Sequence, residues 1–198
     1  MSFIDCIPDS EIDADVKAMY ARQEAHWGFV PNYARAFSHR PEIMGLWAAL
    51  QLGIRRHMDK RRFELITFAA SNVLRSTMCS LAHGKVLTTW FSEDDVVAMA
   101  RGEAPASLSA AEVAMLEFAR QVARDATSVR AADVAQLRAH QFTDAEIFDI
   151  AATAAARSFW TKVLEALGVE VDTPFHSVSG EWKKALVVGR PIDSANWQ

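Results

Sequence analysis

The chain has 198 residues, a hydrophobic fraction of 51%, a charged fraction of 23% and a formal net charge of -4. This length fits one ordinary domain that buries roughly 70% of the surface its unfolded form exposes, so folding requires neither a disulfide nor a metal. The mild negative charge gives no field that would attract nucleic acid or an anionic membrane, so we expect neither as a partner.

The cysteine content and the N-terminus indicate a reducing compartment. Cys6 and Cys79 are too few for a disulfide framework, and "MSFIDCIPDSEIDADV" lacks the basic and continuous apolar regions of a signal peptide. No window approaches the roughly 18 consecutive apolar residues that span a bilayer. We therefore expect a cytoplasmic protein.

The N-terminal third predicts helices separated by glycine and proline. Apolar residues recur at helical period from a possible cap at Ser10 to a stop near Gly28. Pro31 and Pro41 then bracket a short helix, and Pro41 is expected to open the next long one.

A basic run from Arg55 to Arg62 follows that helix. Clustered arginines can bind phosphate, but this run has no interleaved aromatic residues and the sequence pI is about 5.9. We interpret it as a solvated turn between helices. The next apolar stretch, "RFELITFAASNVLR", is predicted to be a helix that breaks at Ser76 or Thr77.

The remaining segments also have helical periodicity, which predicts an all-α fold. Ser92, Ser109 and Thr143 are the expected N-caps of three further helices, and only "ALVVG" alternates like a strand. We predict a single domain over residues 1–198, with a core at about 20–170 and a C-terminal arm at 171–198. The arm needs a surface to pack on, and a second subunit could supply it.

Cys79 and His83 are the first candidate site residues. They are four residues apart on one helical stripe, and Cys79 lies in the first turn after the predicted break. Free backbone N–H groups, the positive end of the helix dipole and a protonated His83 would all favour a thiolate there. Alternatively, Cys79 is a small buried apolar residue and His83 a structural histidine.

Glu64 is the third candidate, because a carboxylate in an otherwise apolar stretch must be paired, exposed or functional. The plain interpretation is an outward-facing charge near Lys60 or Arg61. Glu64, Cys79 and His83 could in principle meet at a metal, but the sequence has neither HExxH nor CxxC, so we expect no metal. Motifs for nucleotide binding and for esterases are also missing, and we expect no cofactor.

The stretch "ELITFAASNVLRSTMCSLAHG" resembles the signature of alkylhydroperoxidase D-like, peroxidase-related proteins of the carboxymuconolactone decarboxylase superfamily. That signature has a glutamate, a CxxC whose first cysteine lies twelve residues on, and a histidine four residues after the second cysteine. Glu64, Cys79 and His83 match it in register, and Ser76 stands at the first cysteine. A second segment, "WGFVPNYARAFSHRPEIM", is similar to the GFVPN and RPE elements that precede the signature.

The resemblance implies a single helical domain of about seven to nine helices, a homo-oligomer, and a peroxidase relay of one glutamate, two cysteines and one histidine. Ser76 departs from this pattern. A hydroxyl can hydrogen-bond a thiolate but cannot resolve a sulfenic acid, so an external thiol or a redox partner protein would have to do so.

Three functions remain open on the sequence. In the first, Cys79 reduces hydroperoxides, Glu64 and His83 relay protons, and Ser76 hydrogen-bonds the sulfur. In the second, Glu64 and His83 perform general acid/base chemistry on a small organic acid held by Arg55, Arg56 or Arg75, as in the superfamily's decarboxylases. In the third, the chain is a non-catalytic oligomeric module.

Overall fold

The computed structural model describes residues 2–178 and 180–192, which form ten α-helices. The helices are α1 (Ala14–Trp27), α2 (Asn32–Ala36), α3 (Pro41–Arg55), α4 (Lys60–Val73), α5 (Thr77–Leu87), α6 (Glu93–Ala100), α7 (Ala110–Asp125), α8 (Ala131–Ala139), α9 (Asp144–Ala166) and α10 (Gly180–Leu186). Within those ranges no strand forms, and Val171 and Ile192 make one isolated bridge. The all-α prediction is confirmed, with slightly more helices than the predicted seven to nine.

The ends of α1 show one correct and one wrong prediction. The N-cap is Asp13, whose carboxylate accepts a hydrogen bond from the Val16 amide at 2.9 Å, so the predicted cap at Ser10 is wrong. Both residues are good caps by type, and periodicity alone does not locate the first helical turn. Gly28 ends the helix as predicted, with a φ of 80° that suits glycine, and donates its amide to the Glu24 carbonyl.

Three later helices begin with reciprocal capping. The side chains of Ser92, Ser109 and Thr143 each accept a hydrogen bond from the amide three residues on, and the acidic side chain there bonds back to the cap's own amide. All three predicted caps are confirmed. Pro41 likewise occupies the start of α3, where the missing amide hydrogen has no helical acceptor.

Two hydrophobic clusters meet along α5 and α9. The larger one unites α4, α6, α7 and much of α9. The smaller one packs α1, α2 and α3 against Cys79 of α5 and Trp160 of α9. Cys79 therefore faces the N-terminal helices.

The C-terminal arm packs on its own chain. Helix α10 contacts α5 and α6, and Leu186, inside the stretch expected to be a strand, is fully buried in a helix. Beyond it, the Gly189 amide donates to the Thr77 hydroxyl at 2.9 Å. The end of the described arm thus lies against the start of α5, while residues 193–198 of the predicted arm lie outside the described residues.

Candidate active site

A three-residue turn, Leu74 to Ser76, places α5 directly beside α4. Arg75 adopts a positive φ of 59°, and the Ser76 amide donates back to the Ser71 carbonyl at 2.9 Å. Ser76 is the extended N-cap residue and Thr77 the first helical residue of α5. The predicted break is confirmed.

Cys79 is the third residue of α5 and lies in its first turn. The first intrahelical bond closes from the Ser80 amide to the Ser76 carbonyl at 2.9 Å, so the amides of the three residues between them precede the helical hydrogen-bond ladder. The positive end of the helix dipole is therefore at the sulfur, as the sequence predicts. The residue is also only 3% exposed, so a location favouring a thiolate is combined with deep burial.

Glu64 and His83 form a direct hydrogen bond between α4 and α5. The His83 Nδ1 lies 2.6 Å from the Glu64 Oε2, and the Glu64 residue is only 5% exposed. The interpretation of Glu64 as an outward-facing charge is wrong. Glu64 is nine residues before the end of α4 and His83 six residues after the start of α5, and two long side chains span this offset.

The Glu64–His83 pair is polarised toward carboxylate and neutral imidazole. Burial alone would raise the pKa of Glu64, but the His83 hydrogen bond and the charges of His83, Arg55 and Lys60 outweigh it, and the pKa is lowered. Burial lowers the pKa of His83, and Arg157 and Arg55 lower it further against the opposing effect of Glu64. Nδ1 then carries the proton shared with Glu64, and Nε2 is left to accept or return another.

Arg157 of α9 is the site residue that sequence reasoning missed. It is 5% exposed, and its guanidinium interacts electrostatically with Cys79, Glu64 and Arg55. The guanidinium also lies over the rings of Trp47, at 5.1 Å, and Phe63, at 5.9 Å. The sequence does carry an indication, because Arg157 interrupts the uncharged run "IAATAAA" in the same way that Glu64 interrupts its own apolar stretch.

Aromatic side chains enclose the Cys79 side of the site. Trp160 stacks on Trp47 and on Phe37 with ring centroids 5.2 and 5.4 Å apart, and Tyr33 meets its edge at 5.2 Å. Burial raises the pKa of Tyr33, and Cys79 adds a smaller contribution in the same direction. Tyr33 follows the "GFVPN" segment, so that segment helps to build the wall around the sulfur.

Ser76 is buried beside the site, but its hydroxyl makes neither a capping bond nor a hydrogen bond to Cys79. The predicted contact between the two side chains is not formed. The residue nevertheless occupies the N-cap position, three residues before the cysteine. A thiol at that position would stand where the first cysteine of a helix-opening CxxC stands.

The predicted turn of the basic run lies at residues 56–59, between α3 and α4, and two ion pairs lie beside it. Arg61 pairs with Glu112 and Arg62 with Glu146, at 2.8 and 2.7 Å. Arg55 covers the ring of Phe63 at 4.9 Å and acts on Glu64 and His83. Of the three arginines predicted to hold an organic acid, Arg55 is the one that reaches this pair, whereas Arg75 donates to the Val188 carbonyl elsewhere.

Two properties concern the described residues as a whole. No helix formed by them has both the length and the apolar character required to cross a membrane. Nor do they contain a cluster of three or more histidine, cysteine, aspartate or glutamate side chains arranged to hold a metal ion.

The same arrangement of helices occurs in solved structures. A peroxidase-related protein from Ralstonia eutropha, described as an alkylhydroperoxidase AhpD core, is 26% identical over 88% of this chain and 94% of its own, with a TM-score of 0.74. The chain has the fold of the alkylhydroperoxidase AhpD core. A peroxidase-related protein from a Silicibacter species shares its fold at 22% identity, over 88% of this chain and 94% of its own, with a TM-score of 0.76.

The same fold also occurs in a debrominase. A cysteine-to-alanine variant of the debrominase Bmp8, solved with 2,3,4-tribromopyrrole, is 18% identical over 88% of this chain and 94% of its own, with a TM-score of 0.72. No family profile matches the chain, and no curated protein does. The fold is thus shared by proteins described by different chemistries.

Proposed function

We propose that the protein is a thiol-dependent peroxidase that reduces hydroperoxides at Cys79. The observation that carries this proposal is the buried Glu64–His83 hydrogen bond of 2.6 Å, one helical turn from a cysteine at a helix N-terminus. A purely structural cysteine requires no acid/base pair beside it. The similarity to peroxidase-related proteins supports the same chemistry.

The chemical step follows from these groups. The thiolate of Cys79 attacks the distal oxygen of the hydroperoxide, so that an S–O bond forms as the O–O bond breaks. Sulfur is oxidised to sulfenic acid and the peroxide is reduced to an alcohol, whose oxygen takes up a proton. His83 first takes the thiol proton of Cys79 at Nε2 and then returns it to the leaving oxygen, while Glu64 holds the Nδ1–H and stabilises the imidazolium that forms in between.

Turnover requires an external reductant, because Ser76 has no sulfur. A first thiol attacks the sulfenic acid, forms a mixed disulfide with Cys79 and releases water. A second thiol, on the same or another molecule, then releases Cys79 as a thiol and leaves with the first as a disulfide. The reductant is therefore a low-molecular-weight thiol or a dithiol protein.

A sulfenic-acid probe tests this function. After addition of peroxide, the folded native protein should be labelled at Cys79, and Cys79→Ala should not be labelled there. His83→Ala should be labelled more slowly, because the leaving oxygen loses its proton donor. Cys6→Ser should be labelled at Cys79 as strongly as the native chain, which would show that the labelling does not depend on Cys6. Folded native protein that consumes peroxide without labelling at Cys79, or consumes none, contradicts the proposal.

The Glu64–His83 pair also supports a second function, general acid/base catalysis on a small organic acid. The observation that favours it is the presence of Arg55 and Arg157 around this pair, where they could hold a carboxylate. Such an enzyme would keep its activity in Cys79→Ala and lose it in Glu64→Gln. The peroxidase should lose its activity entirely in Cys79→Ala, so one pair of variants distinguishes the two chemistries.

A further inference from the structure

We propose that Arg157 is the positioning residue of this site: its guanidinium is the cationic partner of the Cys79 thiolate, and its Nε–H is the donor for the oxygen that the sulfur acquires. The inference rests on the proposed function and extends it to a residue of α9, outside the α4–α5 segment that carries the family signature.

The first observation is a buried donor without an acceptor. The Arg157 Nε is fully buried, and within residues 2–178 and 180–192 it has no hydrogen-bond partner. Leaving a buried polar group unsatisfied costs about 1–3 kcal/mol, more when the group is charged. Such groups persist where a ligand or reacting atom supplies the missing partner.

The second observation is that the guanidinium is held in place. One terminal nitrogen donates to the Gln51 side-chain oxygen of α3, and the rings of Trp47 and Phe63 lie against the group. Side chains of two helices, α3 and α4, therefore fix its orientation before any substrate arrives. A planar group fixed in this way loses little further conformational freedom when it binds an anion.

The third observation concerns which neighbour of Cys79 carries positive charge. The titratable groups that interact with Cys79 are Arg157 on α9 and Tyr33 on α2, while His83 lies one turn further along α5, paired with Glu64 on α4 and acted on by Arg55 of α3. The pKa of His83 is lowered, so the imidazole is not the cation that the sequence suggests. Burial lowers the pKa of Arg157, and the interaction with Cys79 opposes this lowering; the same interaction lets the guanidinium stabilise negative charge at the sulfur.

The pairing gives Arg157 a different task in each state of the sulfur. Before the reaction, its charge favours the thiolate. After the O–O bond breaks, the sulfenic oxygen can accept the Nε–H hydrogen bond, which holds the oxidised sulfur until a thiol arrives. This task needs a fixed donor at a buried sulfur, and Ser76 does not supply one.

The test is the pH profile of Cys79 alkylation, measured without peroxide in a Cys6→Ser background. Arg157→Met keeps an unbranched apolar stem and removes the guanidinium charge, and it should raise the midpoint of the profile by about one pH unit or more. Arg120→Met is the matched control, because Arg120 is a partly buried arginine of α7 that bonds the Met99 carbonyl. It should leave the midpoint unchanged.

An equal midpoint in native protein and Arg157→Met overturns the inference, as does a folded native protein whose Cys79 is not alkylated between about pH 5 and pH 9. Arg157→Lys gives a second comparison that is less exposed to folding defects. Lysine keeps the positive charge, so the alkylation midpoint should stay near that of the native protein. Lysine lacks the Nε–H donor, so the sulfenic acid formed with peroxide should decay faster.

A lysine variant with both properties unchanged contradicts the role of Nε. Because alkylation involves no peroxide, the two proposals fail separately. If the native protein does not react with peroxide but Arg157→Met shifts the alkylation midpoint, only the proposed peroxidase function is wrong. If the native protein reacts with peroxide but Arg157→Met leaves the alkylation midpoint unchanged, only the inference about Arg157 is wrong.

Discussion

Cys79 combines deep burial with a position at a helix N-terminus, although buried cysteines are commonly inert and reactive ones are partly exposed. Its sulfur is buried at the first turn of α5, beside an acid/base pair and an arginine. His83, whose side chain is 19% exposed, is the more accessible of the acid/base pair.

The Glu64–His83 pair predicts a pH dependence of stability. Because folding lowers the pKa of His83, the unfolded chain binds this proton more readily, and the free energy of unfolding should fall as the pH drops below about 6.5. The pKa of Glu64 is also lowered, so its contribution is present above about pH 4.3 and is lost as the pH falls through its folded value.

Denaturant unfolding at a series of pH values measures both effects. In His83→Gln the slope near pH 6.5 should be smaller than in the native protein, whatever the change in absolute stability. A native stability that stays level or rises on mild acidification would show that the imidazole is not held neutral.

Replacing Ser76 by cysteine should restore an internal disulfide. The N-cap and third positions of a helix are the spacing of a redox CxxC, and serine and cysteine differ little in volume. After one equivalent of peroxide, the introduced thiol should attack the sulfenic acid at Cys79, so the mass should fall by two hydrogens, while the native chain gains one oxygen. A variant that remains a free dithiol argues that Cys79 is not oxidisable.

Sequence alone reaches Glu64, Cys79 and His83 through local pattern and resemblance, because all three lie within one helix–turn–helix segment. It does not reach Arg157, since α9 joins the site only through tertiary packing and no short spacing connects it to Cys79. The orientation of Ser76 is likewise set by the backbone of the turn, which the residue type does not determine. The lowered pKa of His83 depends on burial, which a periodicity pattern does not quantify.

At the scale of elements, the site depends on how the arm closes against the start of α5. The Arg75 side chain donates to the Val188 carbonyl, and the Gly189 amide donates to the Thr77 hydroxyl, at 3.0 and 2.9 Å. Arg190 adds an ion pair to Glu165 of α9. The capping residues that begin α6, α7 and α9 can be predicted from the sequence. The packing of the arm cannot, because its hydrogen bonds to Arg75 and Thr77 join residues more than a hundred positions apart.

Gly189→Ala should release the arm. A Cβ at this residue would overlap the Arg75 carbonyl oxygen, and backbone cannot move aside as a flexible side chain does. We expect a loss of about 1–3 kcal/mol in unfolding free energy, faster proteolysis after α10 and faster alkylation of Cys79. Gly45→Ala is the control: its added Cβ meets nothing within 4 Å on helix α3, and it should be neutral or slightly stabilising. Equal stability and equal alkylation rates in Gly189→Ala and Gly45→Ala would show that the packing of the arm does not protect Cys79.

At the scale of the whole molecule, α3 presents apolar side chains outward. Leu46 and Leu50 lie one turn apart on it and are largely exposed, and Phe159 of α9 is exposed as well. A contiguous patch of exposed apolar side chains often marks a surface through which proteins associate. The arm, which packs on its own chain, is not needed to explain association.

We predict a homo-oligomer held in part by this face. Light scattering of the native chain should give a multiple of 22.0 kDa at micromolar concentration, and Leu46→Lys with Leu50→Lys should reduce it while the helical circular dichroism is retained. Gly45→Ala, a substitution on the same helix, should leave the mass of the oligomer measured by light scattering unchanged. A native monomer would reject the prediction.

The central claim is that Cys79 is reactive despite its burial, and competition with Cys6 tests this in a single chain. Cys6 is partly exposed near the N-terminus and is the ordinary thiol for comparison. With sub-stoichiometric hydroperoxide at neutral pH, peptide mass spectrometry should find the added oxygen on Cys79 in about tenfold or greater excess over Cys6. Denaturation before addition should abolish the preference. Oxidation of Cys6 first in the folded protein, with Cys79 reacting only after unfolding, would contradict the account.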